Sequence, residues 1–244
     1  MIVKYLLAAL VAGLIAGALQ TVVQQVKVVP LILEAEKYEG GTPAHDHAAG
    51  LALSVVSVAR AEETVAPAPA ATEAEDSGML FGVSRTIGTL MGNLVAGAGF
   101  ALILMAAVIF TGRSVTLANG ALWGSAAWLT FHLLPAVGMP PELPGFPAAE
   151  LFDRQVWWTG TVIATAVALY LIVLRREPVA KAAGVVLMLV PHVVGAPQPV
   201  DIASNVPAIL AAEFAVATLS AGLLFWIVLG LVMGAIDDRW VKTA

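Results

Sequence analysis

No cysteine occurs among the 244 residues, which excludes disulfides and thiolate metal sites. Charge is scarce as well. Asp, Glu, Lys and Arg make up 12% of the chain, against about 25% in an ordinary soluble domain. There is no Gly-rich lysine loop of the Walker type, so ATP hydrolysis by that route is excluded. No His-Glu-x-x-His pattern occurs, and Ser125 and Ser220 sit in no diagnostic nucleophile motif. An intramembrane hydrolase therefore finds no support, and the chain is not expected to be an enzyme. No nucleic-acid partner and no tightly bound cofactor are expected either.

Apolar residues fill the space that charge leaves. They account for 59% of the chain, and mean hydropathy is +0.90. The apolar runs cover about Lys4–Val29, Thr86–Phe110, Ala118–Val137, Val156–Leu174, Val179–Val194 and Pro207–Ile236. Crossing the hydrocarbon core takes roughly 20 apolar residues in a helix, and most of these runs suffice. The fifth is short and spans only with thinning or snorkelling at its ends. The sequence predicts an all-α, polytopic membrane bundle of about six transmembrane helices, or five if that run does not cross. The first run is longer than a secretory h-region and leads into Pro30 and "LILEAEKYE" without a small-residue cleavage site, so a retained helix is expected.

Basic residues in short loops set orientation. With the N-terminus inside, Lys4, Arg113, Arg175, Arg176, Lys181, Arg239 and Lys242 fall on the cytoplasmic side, and Lys27, Lys37, Arg60, Arg85 and Arg154 outside. Both termini are expected in the cytoplasm. Most acidic residues fall outside, forming a negative funnel that concentrates cations. Residues 1–36 read as the first transmembrane helix and its external extension, 37–82 as an external loop, largely disordered, and 83–244 as the membrane bundle of the remaining helices. Within the loop, "ETVAPAPAATEAEDSG" is too poor in apolar bulk to pack.

Polar side chains are then placed against this frame. His132 opens the stretch "FHLLPAVGMPPELPG" near the outer end of the third run, and His192 is near the outer end of the fifth. Glu213 lies less than two turns into the sixth. Both histidines are followed by Val-Gly-x-Pro, in "VGMPPE" and "VGAPQP", where proline stiffens a turn and glycine lets the chain leave the helix. Gln20, Gln24 and Lys27 recur at helical spacing on the first helix, and Leu31 and Glu34 continue that face outward. An ionisable residue inside a membrane is by default a functional hypothesis. His132, His192, Glu142, Asp201 and Glu213 are the candidate transfer site, with Gln20 and Gln24 lining a path inward. His45, Asp46 and His47, with Glu34, Glu36 and Glu39, are candidate ligands for first capture of a divalent transition metal. Each has a plainer reading: His132 as a satisfied interior histidine, His192 as part of a capping turn, Glu213 as a complement to the helix dipole, and the "HDH" pair as chance. Gly13/Gly17, Gly120/Gly124 and Gly230/Gly234 are small-xxx-small pairs suited to close helix packing. Trp157, Trp158 and Trp240 fit interfacial anchoring.

"RTIGTLMGNLVAGAGFALIL", "LPAVGMPPELPG", "RQVWW", "PHVVGAPQP" and "VPAILAAEF…FWIVLG" together resemble the CbtA family of predicted cobalt-transporter subunits. The likeness covers nearly the whole chain. It implies a multi-helix protein of the bacterial inner membrane that takes part in cobalt import for cobalamin biosynthesis. It also implies a small one-helix, histidine-rich partner of the CbtB kind, besides the lipid bilayer. Family members are described with five membrane segments, and 179–194 is where the two counts differ. Imidazole and carboxylate ligands suit Co²⁺, but equally Ni²⁺ or Zn²⁺. A non-conducting accessory or regulatory subunit is the alternative function.

Overall fold

The structure, a computed structural model, describes residues 2–38 and 84–241. Regular structure among the described residues is entirely helical. α1 (Ile2–Lys27) is followed after Val28 by α2 (Val29–Glu36). α3 is Arg85–Thr111 and α4 is Gly120–Trp128. A π-helical turn, Leu129–Leu133, joins α4 to α5 (Leu134–Gly138). α6 (Leu151–Leu169) runs into a second π turn, Tyr170–Leu174. α7 is Pro178–Val194, and α8 is Ala208–Ile236, ending in a third π turn, Asp237–Val241.

Local chemistry sets these boundaries. Pro30 has no N–H to donate to the α1 ladder, and the chain restarts there as α2. Ser84 caps α3 by accepting from the Ile87 N–H at 3.4 Å. Gly112 closes the same helix at φ 65°, the left-handed conformation only glycine adopts without a Cβ penalty. The first π turn precedes Pro135, whose missing donor removes an ordinary helical bond, while the Leu134 N–H reaches back to the Leu129 carbonyl.

Four helical segments are long and apolar enough to cross a membrane: Val3–Lys27, Arg85–Thr111, Leu151–Leu174 and Ala208–Arg239. At 1.5 Å per residue the shortest of them reaches about 36 Å, against a hydrocarbon core of about 30 Å. The expected third and fifth crossings are the short ones. Gly120–Gly138 is continuous but broken by its π turn, and α7 has 17 residues. These reach about 28 and 26 Å.

Antiparallel pairs build the bundle. α1 lies along α3, so that a Cβ added at Gly13 would fall on the Gly97 carbonyl and one at Gly17 on the Asn93 carbonyl. α4 lies along α8 in the same manner: Gly120 meets the Gly230 carbonyl, Gly124 the Trp226 carbonyl, and Gly234 the backbone at Thr116. The three glycine pairs read from the sequence are thus the points where backbones touch. α1 also packs on α8. A core of Ala9, Ala12, Ala16, Met105, Phe225, Trp226, Leu229 and Met233 fills the middle. A second cluster, with Val28, Ala35, Leu143, Val206, Leu210 and Phe214, closes the end away from the termini. α6 and α7 form a separate hairpin, with Gly184 against Ala168 and Ile172, that joins the rest mainly through α5 and the first π turn.

Gly124→Leu or Gly230→Leu drives a side chain into a facing backbone and should destabilise the fold by at least about 1–3 kcal/mol. A Cβ at the exposed Gly99 meets nothing within 4 Å, and Gly99→Leu should leave the fold intact. Thermal unfolding of the detergent-purified variants checks the contrast.

Candidate functional site

Close approach of α1 and α3 at Gly17 brings polar side chains together inside the bundle. The Asn93 amide donates to the Thr21 hydroxyl at 3.0 Å and to Gln24 Oε1 at 2.7 Å. Thr21 in turn donates to the Gly17 carbonyl at 3.1 Å. Nearby positions are less satisfied. Gln20 Oε1 and Gln25 Nε2 on α1, and Thr218 Oγ1 on α8, are buried without a protein hydrogen-bond partner. In hydrocarbon each such group costs several kcal/mol. Gln20, Thr21, Gln24 and Gln25 thus make a polar seam along α1.

His132 sits on the first π turn. Its Nδ1 accepts from Trp226 Nε1 at 3.1 Å, which directs a neutral ring's proton to Nε2. Phe100 and Trp226 flank the ring at centroid distances of 6.2 and 6.1 Å. A Cβ on Gly222 would come within 3.2 Å of it. His132 is thus held by one hydrogen bond in an aromatic cluster, and its Nε2–H is the donor left over. His192 differs. It lies in the last turn of α7, edge-on to Trp157 at 6.1 Å. Both of its ring nitrogens are buried without a hydrogen-bond partner, although imidazole requires a partner at each.

The carboxylates are engaged elsewhere or exposed. Glu142 pairs with Arg154 at 3.2 Å, Glu36 with Arg85 at 3.0 Å, and Glu34 with Lys37 at 2.6 Å. Hydrogen bonding and charge from Glu34 hold the Lys37 ammonium above its ordinary pKa. Asp201 Oδ1 accepts from the Ala203 N–H at 2.9 Å within its loop. Glu213 is on the exposed face of α8, about 8 Å from the helix start. Among the described residues, no group of three or more His, Asp or Glu side chains comes together to hold a metal. The pairs are partly or largely exposed, and such ion pairs contribute only about 0–1 kcal/mol, so these carboxylates are not locked away. Glu39, His45, Asp46 and His47 lie outside the described residues.

Asn93, Thr21, Gln25 and Thr218 escaped the sequence reading, although Asn93 is a lone amide in the apolar run of α3. Trp226 escaped too, since nothing in linear spacing links it to His132. Trp157, read as an interfacial anchor, also has a partner within the hairpin: its Nε1 donates to the Pro191 carbonyl at 3.2 Å, between α6 and α7.

Residues 2–237 match the family described as "Probable cobalt transporter subunit (CbtA)". The chain belongs to the CbtA family. No curated protein and no solved structure matches it. Family membership and the apolar helices together make it a multi-pass membrane protein of transporter-subunit type. In this CbtA-family chain the Asn93 clasp is a testable unit. Asn93→Ala should cost about 0.6–1.7 kcal/mol, the range for interhelical hydrogen bonds in membranes, in reversible unfolding in mixed micelles.

Proposed function

We propose that the chain is the membrane subunit of a divalent transition-metal importer, with cobalt as cargo, in the bacterial inner membrane with both termini cytoplasmic. Membership of the CbtA family over residues 2–237 is the observation that carries this reading. His45, Asp46 and His47, with Glu34, Glu36 and Glu39, collect the ion outside. His192, whose two nitrogens lack protein partners, is the first imidazole of the transfer site. Glu142, Asp201 and Glu213 supply negative charge, and His132 takes the ion by giving up its hydrogen bond from Trp226. The seam of Gln20, Gln24 and Asn93 lines the inward path. A membrane potential contributes about 2.3 kcal/mol per charge per 100 mV, and a dication gains about twice that, which drives import without nucleotide hydrolysis in this chain.

The family description names a subunit, and a small one-helix, histidine-rich chain of the CbtB kind is the proposed partner. A second reading, a non-conducting accessory subunit, draws support from the fact that no three ligand-type side chains meet among the described residues. In that reading the partner or the 39–83 segment completes the metal site.

Purified chain in liposomes, with an inside-negative potential, should accumulate Co²⁺ when reconstituted with the small partner. Parallel runs with Ni²⁺ and Zn²⁺ identify the cargo. Uptake by the chain alone eliminates the accessory reading, and no uptake in either arrangement eliminates the importer. In cells, His192→Ala and His132→Ala should each cut metal accumulation at least tenfold while membrane abundance is retained; unchanged uptake in both removes their assigned roles.

A further inference from the structure

A cavity of about 490 Å³ opens between α3, α4 and the α6 end of the α6–α7 hairpin. Its walls are mostly apolar, including Leu104, Ala126, Phe131, Ala166 and Val173, and Arg113 stands among its lining residues. Among the described residues, α6 meets the central helices chiefly through α5 and the first π turn, which leaves this face open.

We propose that this groove binds one anionic phospholipid from the leaflet on the side of the chain termini, with an acyl chain between the helices and the phosphate on Arg113. Depth is the first argument. The lining runs from Asn119 to Phe131 on α4 and the adjoining π turn, from Ile103 to Arg113 on α3 and just beyond it, and from Ala166 to Leu174 on α6. At 1.5 Å per residue these stretches cover about 12–18 Å, close to one leaflet's half of the roughly 30 Å core. A partner membrane helix would need the full thickness. Cross-section is the second. A helix about 10 Å wide fills this volume within about 6 Å of its length, whereas a single acyl chain is far slimmer.

Charge is the third argument. Arg113 lies just beyond the α3 cap, is exposed, and forms no ion pair among the described residues. Arg175, which pairs with Glu177 at 3.3 Å, and Arg176 follow Leu174, the last groove residue on α6, directly in the chain. Basic pockets between transmembrane helices are suited to anionic headgroups. Asn119 is not available for that role. Its Oδ1 accepts from the Thr116 N–H at 2.7 Å, and its Nδ2 donates to the Ser114 carbonyl at 3.0 Å.

The proposal is independent of which metal is carried, and its readout contains no metal. Full-length protein in mild detergent is incubated with equal phosphatidylglycerol and phosphatidylethanolamine, and retained lipid is measured by native mass spectrometry. Wild-type protein should retain phosphatidylglycerol at least fivefold over phosphatidylethanolamine. Arg113→Gln, a change at an exposed position, should abolish the preference. Ala166→Trp should remove the bound lipid altogether, with size-exclusion and thermal unfolding showing that it has folded. If Ala166→Trp does not fold, the Arg113→Gln comparison alone decides. Equal retention of the two lipids by wild type overturns the proposal, as does a preference that survives Arg113→Gln. Displacement of a co-purifying polypeptide by Ala166→Trp, with lipid retained, also overturns it and assigns the groove to a protein partner.

Discussion

Lipid offers a helix no hydrophobic reward for leaving it, since the tails are as apolar as leucine. Cohesion in a bilayer depends on how closely backbones approach and on the polar bonds that approach permits. In this chain backbones meet where glycine faces a carbonyl: Gly13 with Gly97, Gly17 with Asn93, Gly120 with Gly230, and Gly124 with Trp226. Two of them place functional side chains. Contact at Gly17 is what lets Asn93 reach Thr21 and Gln24 across the interface. Contact at Gly124 seats Trp226, fully buried, where its indole N–H meets His132. Packing and polar chemistry are therefore one arrangement, and neither survives a bulky residue at these positions.

The two histidines illustrate how the same residue type takes on different characters. His132 has a neighbouring donor and an aromatic surround, so one nitrogen is fixed and one is left over. His192 has a proline carbonyl nearby, but Trp157 already donates to that carbonyl, and both imidazole nitrogens go unmet. A buried polar group without a partner is costly. An imidazole in that condition is open to a water or a metal ion as its missing partner.

Much of this fold was legible in the sequence because hydropathy in a membrane protein is written in long blocks. The four long spans follow directly from apolar runs, and the glycine pairs marked the backbone contacts in advance. What was not legible has a common cause. The π turn at Leu129–Leu133 arises from hydrogen bonding around Pro135, and periodicity does not distinguish it from an ordinary helix turn. The Trp226–His132 and Asn93–Gln24 bonds join residues 94 and 69 positions apart, and linear spacing carries no information about such pairs. The acidic side chains were read as a shared funnel, yet Glu34, Glu36 and Glu142 each have a basic neighbour. Sequence supplies the charges; only three-dimensional packing decides which of them meet.

α7 has a further consequence. Its 17 residues extend about 26 Å, roughly 4 Å less than the hydrocarbon it faces. Were it to cross, the bilayer beside it would have to pinch inward or admit headgroups and water at its ends. A crossing there would leave less oil beside His192 than beside any of the four long helices.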